Sequence, residues 1–175
     1  MAGMRSQTLT AVLLGAWLAG TLFMWAVATQ NFRLVDRLLD APTAEVTART
    51  APLAPGDARL LMRYQASEVN RLFFDRWGWA QLALGAVLAW LVFRGPADRT
   101  LRALALLMLL VAAALQFAVV PETVRLGRLL DFAARSPAAP EAAPFWRLHH
   151  AYTALDMGKF LLGLMALARL SRSRQ

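Results

Sequence analysis

Lys159 is the one lysine among 19 basic side chains, and it falls inside an apolar helical stretch. Asp156 lies three residues before it, and His149 and His150 lie two turns further back, in the run FWRLHHAYTALDMGKFLLGLMALARL. The chemistry open to such a set is the handling of a proton or an ion. Arginine stays charged at any accessible pH, whereas burial can strip a lysine of its proton. A carboxylate three residues away on a helix shares its face and can pair with it. The apolar run from Phe160 to Leu170 is too short to cross a bilayer, which takes about 20 residues. The helix must therefore start near Leu148 and draw Asp156 and Lys159 into the hydrocarbon, where an ionisable side chain marks a candidate functional site.

Helical spacing puts His149, Thr153, Asp156, Lys159 and Gly163 on one stripe. Gln81 and Gln116, on two other apolar segments, supply further polar groups at comparable depth. Two readings stay open. Asp156 and Lys159 neutralise each other while the glutamines hold helices together, as interhelical hydrogen bonds in membranes commonly do. Alternatively, the set binds a proton, an ion or a ligand. Haem and zinc are poorly served. Adjacent histidines point about 100° apart on a helix and cannot both face one iron, and the pair lacks the i, i+4 spacing of helical zinc motifs. Neither a catalytic residue nor a cofactor or metal is therefore assigned.

The elements that position these residues follow from apolar length. Four segments, at about 9–28, 77–93, 101–120 and 145–170, read as transmembrane helices. The chain is a single domain, and its fold class is all-α: an integral membrane four-helix bundle with amphipathic extramembrane helical extensions. A composition 58% hydrophobic and only 17% charged is too apolar for a soluble globule. The net charge of +8 comes from arginines set between apolar runs rather than from a basic patch interleaved with aromatics, so lipid rather than nucleic acid is the expected partner. With no cysteine, thiolate, disulfide and cysteine–metal chemistry drop out.

Arg5, the Arg94/Arg99/Arg102 turn and the Arg169/Arg172/Arg174 tail fall on one side with almost no compensating acid. The positive-inside rule then makes both termini cytoplasmic in a multi-pass inner-membrane protein. Asp98 is placed to cap the third span, closing a hairpin with the second. The six tryptophans fall mostly near span ends, as an interfacial belt would. Arg5, an apolar run and Ala26-Val27-Ala28 resemble a signal peptide, but the run exceeds the usual length of about 7–15 residues, so a retained span is expected. Within it, Ala11, Gly15 and Ala19 form a small-residue seam suited to close helix packing. Residues 41–56 are expected to be a mobile linker and 136–144 a second one. The second long helix is expected to start near Asp57. Past the third span, a kink at Pro121 and an interfacial helix to about Arg135 are expected.

Three stretches carry a family likeness: ASEVNRLFFDRWGWAQLALG, LQFAVVPETVRLGRLL and FWRLHHAYTALDMGKFLLGL. Together they make the chain similar to the small four-span family related to transmembrane protein 205, a domain of unknown function. The resemblance implies a four-span topology and marks Pro121, Arg125, Arg128, Phe145 and His149 as motif positions. It implies no established activity, and Asp156 and Lys159 depart from its pattern. The function expected is that of a small non-enzymatic membrane protein: a scaffold, an assembly partner or a minor transport component, with a homo-oligomer or a second membrane protein as partner. The alternative is a proton- or ion-coupled transport site built on His149, Asp156 and Lys159. A haem-binding or enzymatic bundle comes last.

Overall fold

The computed structural model describes the backbone of residues 2–95, 97–133 and 139–172, with side chains from residue 6 onward. Expectations resting on the Arg5 side chain, Pro96, Arg135, Arg174 and residues 134–138 of the second linker lie outside the described residues. Every regular element among the described residues is helical. Helix α1 (Ala2–Asp40) is followed by the short α2 (Ala44–Thr50), then α3 (Asp57–Arg94) and α4 (Arg99–Ala114). A five-residue π-helical segment, Leu115–Val119, joins α4 to α5 (Val120–Leu130), and α6 (Ala142–Arg172) closes the chain.

Four helical stretches are long and apolar enough to cross a membrane: Ser6–Asp40, Asp57–Arg94, Arg99–Leu130 and Ala142–Arg172. They pack as a ring in the order α1, α3, α4, α6, with α6 returning to α1. Contacts place every neighbouring pair antiparallel: Trp17 meets Gln81 and Asp36 meets Arg59, while Gly163 abuts both Leu18 and Met108. Both termini and the α3–α4 turn therefore share one end, the terminal end. The α1–α3 and α5–α6 connections share the other, the loop end. At 1.5 Å per residue the 38 residues of α3 extend about 57 Å, well beyond a hydrocarbon core of about 30 Å. As expected, α3 begins at Asp57, and its first turns belong to a helical collar at the loop end.

The core is apolar and close-packed: Leu14, Trp17, Leu88, Val92, Met108 and Ala166 lie at its centre. Close approach is obtained at glycines other than those expected. A Cβ at Gly20 would overlap the Trp77 ring, one at Gly85 the Trp17 ring and Leu109, and one at Gly163 the Leu18 side chain. A Cβ at Gly15 would meet nothing, and Ala19 is exposed. Of the seam, only Ala11 packs against the core, while Gly15 and Ala19 face away from it. The buried face of α1 is instead Thr10, Leu14, Trp17, Leu18, Thr21 and Met24, because the bulky indole and leucines fill the core.

Two connections also depart from expectation. The 41–56 stretch is not a plain linker. Thr43 caps α2, its hydroxyl accepting from the Val46 N–H at 3.3 Å, and the Thr47 hydroxyl bonds back to the Thr43 carbonyl. Gly56, with φ of 93°, then turns the chain into α3 in a conformation that side chains disfavour. At Pro121 the irregularity lies before the proline rather than at it. The Val120 N–H donates to the Leu115 carbonyl five residues back. Widening this turn makes room for a ring that would collide with the carbonyl four residues behind it in a regular helix. On the α4 side of the hairpin, Asp98 caps as anticipated, accepting from the Leu101 N–H at 2.8 Å.

Candidate functional site

Asp156 and Lys159 lie on the inner face of α6, continuous with Gly163, Ala166 and Leu170. Both side chains are almost wholly enclosed, at 3% and 1% exposure, and Lys159 Nζ donates to Asp156 Oδ1 at 2.5 Å. Lys159 Nζ also donates to Gln81 Oε1 from α3. Helix α1 completes the arrangement with two indoles. Trp25 Nε1 donates to Asp156 Oδ2 at 2.7 Å, and Trp17 Nε1 donates to Gln81 Oε1 at 3.0 Å. Both carboxylate oxygens are thus occupied, and Gln81 Oε1 accepts from two donors. The Phe160 ring packs on Trp25 at 5.3 Å between centroids.

This is a polar clasp with contributions from three helices. An isolated charge buried this deeply is costly, so its retention requires a counter-charge and hydrogen bonds on the remaining atoms. The clasp supplies both. Trp17 and Trp25 are eight residues apart, about 12 Å along α1, so the indoles brace the clasp at two levels. Its chemical scope is narrow: it can hold one proton's worth of charge between Lys159 and Asp156, and it can fix the register of α1, α3 and α6. Two cavities of the bundle do not border it. Both lie toward the terminal end, one lined by Thr10, Asp98 and Arg169 and the other by Ala11 and Leu164.

The structure brings Gln81 into the site and leaves Gln116 and His149 out. Gln116, on the π-helical segment, donates through Nε2 to Asp75 at 3.3 Å, and its buried Oε1 lies against Gly78 without a hydrogen-bond partner. His149 is exposed at the loop end among aromatics, its ring 6.0 Å from that of Phe145 and 5.4 Å from that of Trp146. His149 stands seven residues, about 10 Å, nearer the loop end than Asp156, past the depth of the clasp. Tyr152, at i−4 from Asp156, takes the place nearer the core and packs edge-on against Phe74 at 5.4 Å. Thr153 donates its hydroxyl to the His149 carbonyl rather than to an imidazole. The rings of His149 and His150 stand 59° apart. Among the described residues, no group of three His, Asp or Glu side chains could hold a metal ion.

The positions marked by family likeness collect at the loop end, away from the clasp. Pro121 starts α5, Arg125 pairs with Glu122 at 2.6 Å, and Arg128 reaches Glu68 at 3.5 Å. Phe145 packs where a Cβ at Gly127 would stand. Beside them Arg71 clamps Asp131 with two bonds of 2.8 Å and takes Glu68 at 2.5 Å. Further along the same end, Asp36 accepts from Arg59 and Arg63, and Asn31 pairs with Asn70.

Sequence reasoning missed the two indoles. Trp17 was expected in an interfacial belt and is instead in the core, at 1% exposure. The available signal was position, and for Trp17 alone: it stands mid-span, too deep for a headgroup belt. Trp79, Trp90 and Trp146 are exposed, as a belt requires. No family model, curated protein or solved structure matches this chain.

Proposed function

We propose that the chain is a small non-enzymatic multi-pass membrane protein, a scaffold, assembly partner or minor transport component, whose helices are held in register by the clasp. The observation that carries this reading is the enclosure of Lys159 and Asp156, with each polar neighbour already engaged. A site built to exchange an ion with solvent needs exposure, and both side chains are almost wholly enclosed. The likeness to the transmembrane-protein-205-related proteins agrees with a four-span architecture lacking assigned chemistry. The distribution of arginines supports an inner-membrane location with both termini cytoplasmic. The bilayer is the first partner, and the exposed leucines and phenylalanines on all four spans would accept lipid, a second copy or another membrane protein.

A second reading, a proton- or ion-coupled site on Asp156 and Lys159, is favoured by one observation: the buried base is the chain's only lysine, which unlike arginine can give up its proton. Reconstitution separates the two. The scaffold reading expects proteoliposomes of the wild-type chain and of Lys159→Met to show the same background flux of protons, sodium and potassium. A flux present in wild type and abolished by Lys159→Met would replace it with the second reading.

A further inference from the structure

At the loop end Arg59, Arg63, Arg71, Arg125 and Arg128 each meet a carboxylate, while Arg33, Arg37, Arg49 and Arg147 form no ion pair among the described residues. At the terminal end the three arginines of the α3–α4 hairpin meet none among the described residues. Arg102 is held by neutral acceptors: its Nε donates to the Val92 carbonyl at 3.1 Å and its terminal nitrogen to the Gly95 carbonyl at 3.4 Å. These carbonyls belong to the last turn of α3 and its cap, so the guanidinium is oriented by the helix terminus while keeping its net charge. Arg94 lies over the Trp90 ring, 5.0 Å from its centroid, and Arg102 lies 5.7 Å from that of Phe93. Arg99, three residues from Arg102 on the first turn of α4, is exposed and makes no contact that would neutralise it. The one acid of the turn, Asp98, is engaged by the Leu101 N–H and by Arg169 at 2.6 Å.

The aromatic rings decide which anion this surface fits. Trp90 and Phe93 are each 53% exposed on the outside of the bundle, at the end of a span. Exposed aromatics at such a position sit at the level of lipid headgroups. Guanidinium groups laid on those rings are therefore presented sideways to the headgroup layer rather than upward to a soluble partner. Planar guanidinium forks match phosphate oxygens in pairs. We propose that Arg94, Arg99 and Arg102 form a binding site for the phosphate of an anionic phospholipid in the leaflet at the terminal end. This rests on the four helices spanning a bilayer and is independent of what the clasp does.

The test uses the full chain purified in a neutral detergent and titrated with short-chain phosphatidylglycerol, short-chain phosphatidylcholine or inorganic phosphate, with thermal unfolding as the readout. The wild type is expected to be protected by phosphatidylglycerol at concentrations at least about tenfold below those of phosphatidylcholine, since each arginine near an anionic surface contributes about fivefold in affinity. The Arg94→Gln/Arg99→Gln/Arg102→Gln variant should lose that preference, and Arg125→Gln at the loop end should keep it. Because Arg102 also caps α3, the triple variant can fail to fold. Arg99→Gln then decides alone, with an expected loss of about fivefold. An unchanged preference in Arg99→Gln, or in a folded triple variant, overturns the proposal. Equal protection by inorganic phosphate at the same concentration overturns it as well, by showing a simple anion site.

Discussion

The clasp inside the bundle and the ion-pair collar at the loop end solve one problem in opposite ways. In the collar the partners are shared. Asp36 accepts from two arginines, Glu68 from two, and Arg71 holds two acids. Asp36 and Glu68 each keep a second arginine when one is lost, and solvent screens the exposed pairs; Asp131, enclosed and held by Arg71 alone, is the exception. In the clasp Lys159 has one counter-charge and Asp156 has one cation, both enclosed by apolar packing. The hydrogen bonds that complete it come from neutral groups, Gln81, Trp17 and Trp25, which orient the charges and cannot replace them. Redundancy at the surface and singularity in the interior follow from the local dielectric, which makes a stranded charge cheap in one place and costly in the other.

That contrast can be broken at graded points. The largest effect belongs to Lys159→Met, which removes the one counter-charge of Asp156. It should destabilise the protein by about 3–5 kcal/mol in denaturant or thermal unfolding in detergent. Trp25→Phe keeps the ring but removes the donor to Asp156 Oδ2. A loss of about 1.5–3 kcal/mol is expected, as for a hydrogen bond to a charged group. Arg71→Gln, in the partly buried corner of the collar, should cost about 1–2 kcal/mol, since Asp131 is left with a weaker neutral donor and Glu68 retains Arg128. A loss there equal to that of Lys159→Met would erase the distinction.

The smallest effect is at the α3–α4 turn. The Leu101 N–H first, and the Arg169 guanidinium second, hold the Asp98 carboxyl below its ordinary value of 3.8. A depressed carboxyl stabilises the fold fully above that ordinary value, and the contribution disappears as pH falls through the lower folded-state value. Unfolding followed from pH 5 downward should therefore show a larger loss in wild type than in Asp98→Asn, which keeps the losses from Asp36, Glu68 and Glu122.

What the sequence made legible follows from what each signal reports. Apolar length and punctuation placed the four spans, the start of α3 at Asp57 and the Asp98 cap, because these depend on local chemistry. The pairing of Asp156 with Lys159 was legible because i, i+3 spacing is a property of one helix. The participation of Gln81 depended on the helix ring, and apolar depth gave a fair guide to it. Gln116 shares that depth but sits on a widened turn, which rotates it toward Asp75. The seam on α1 failed for a similar reason. Small residues permit close approach without requiring it, and the side that packs was chosen by Trp17 and Leu14. The Trp25 donor escaped notice because a tryptophan near a span end fits either a belt or a core, and only its contact with Asp156 distinguishes the two.

The central claim is that Asp156 and Lys159 are each other's one counter-charge, with the neutral partners orienting them. It is tested most directly by a double-mutant cycle of Asp156→Leu, Lys159→Met and the pair, measured by equilibrium unfolding of the purified chain. The expected result is that each single variant loses about 3–5 kcal/mol while the double loses far less than the sum, because no charge is left stranded. Losses that simply add would show that the two side chains act independently and would contradict the clasp.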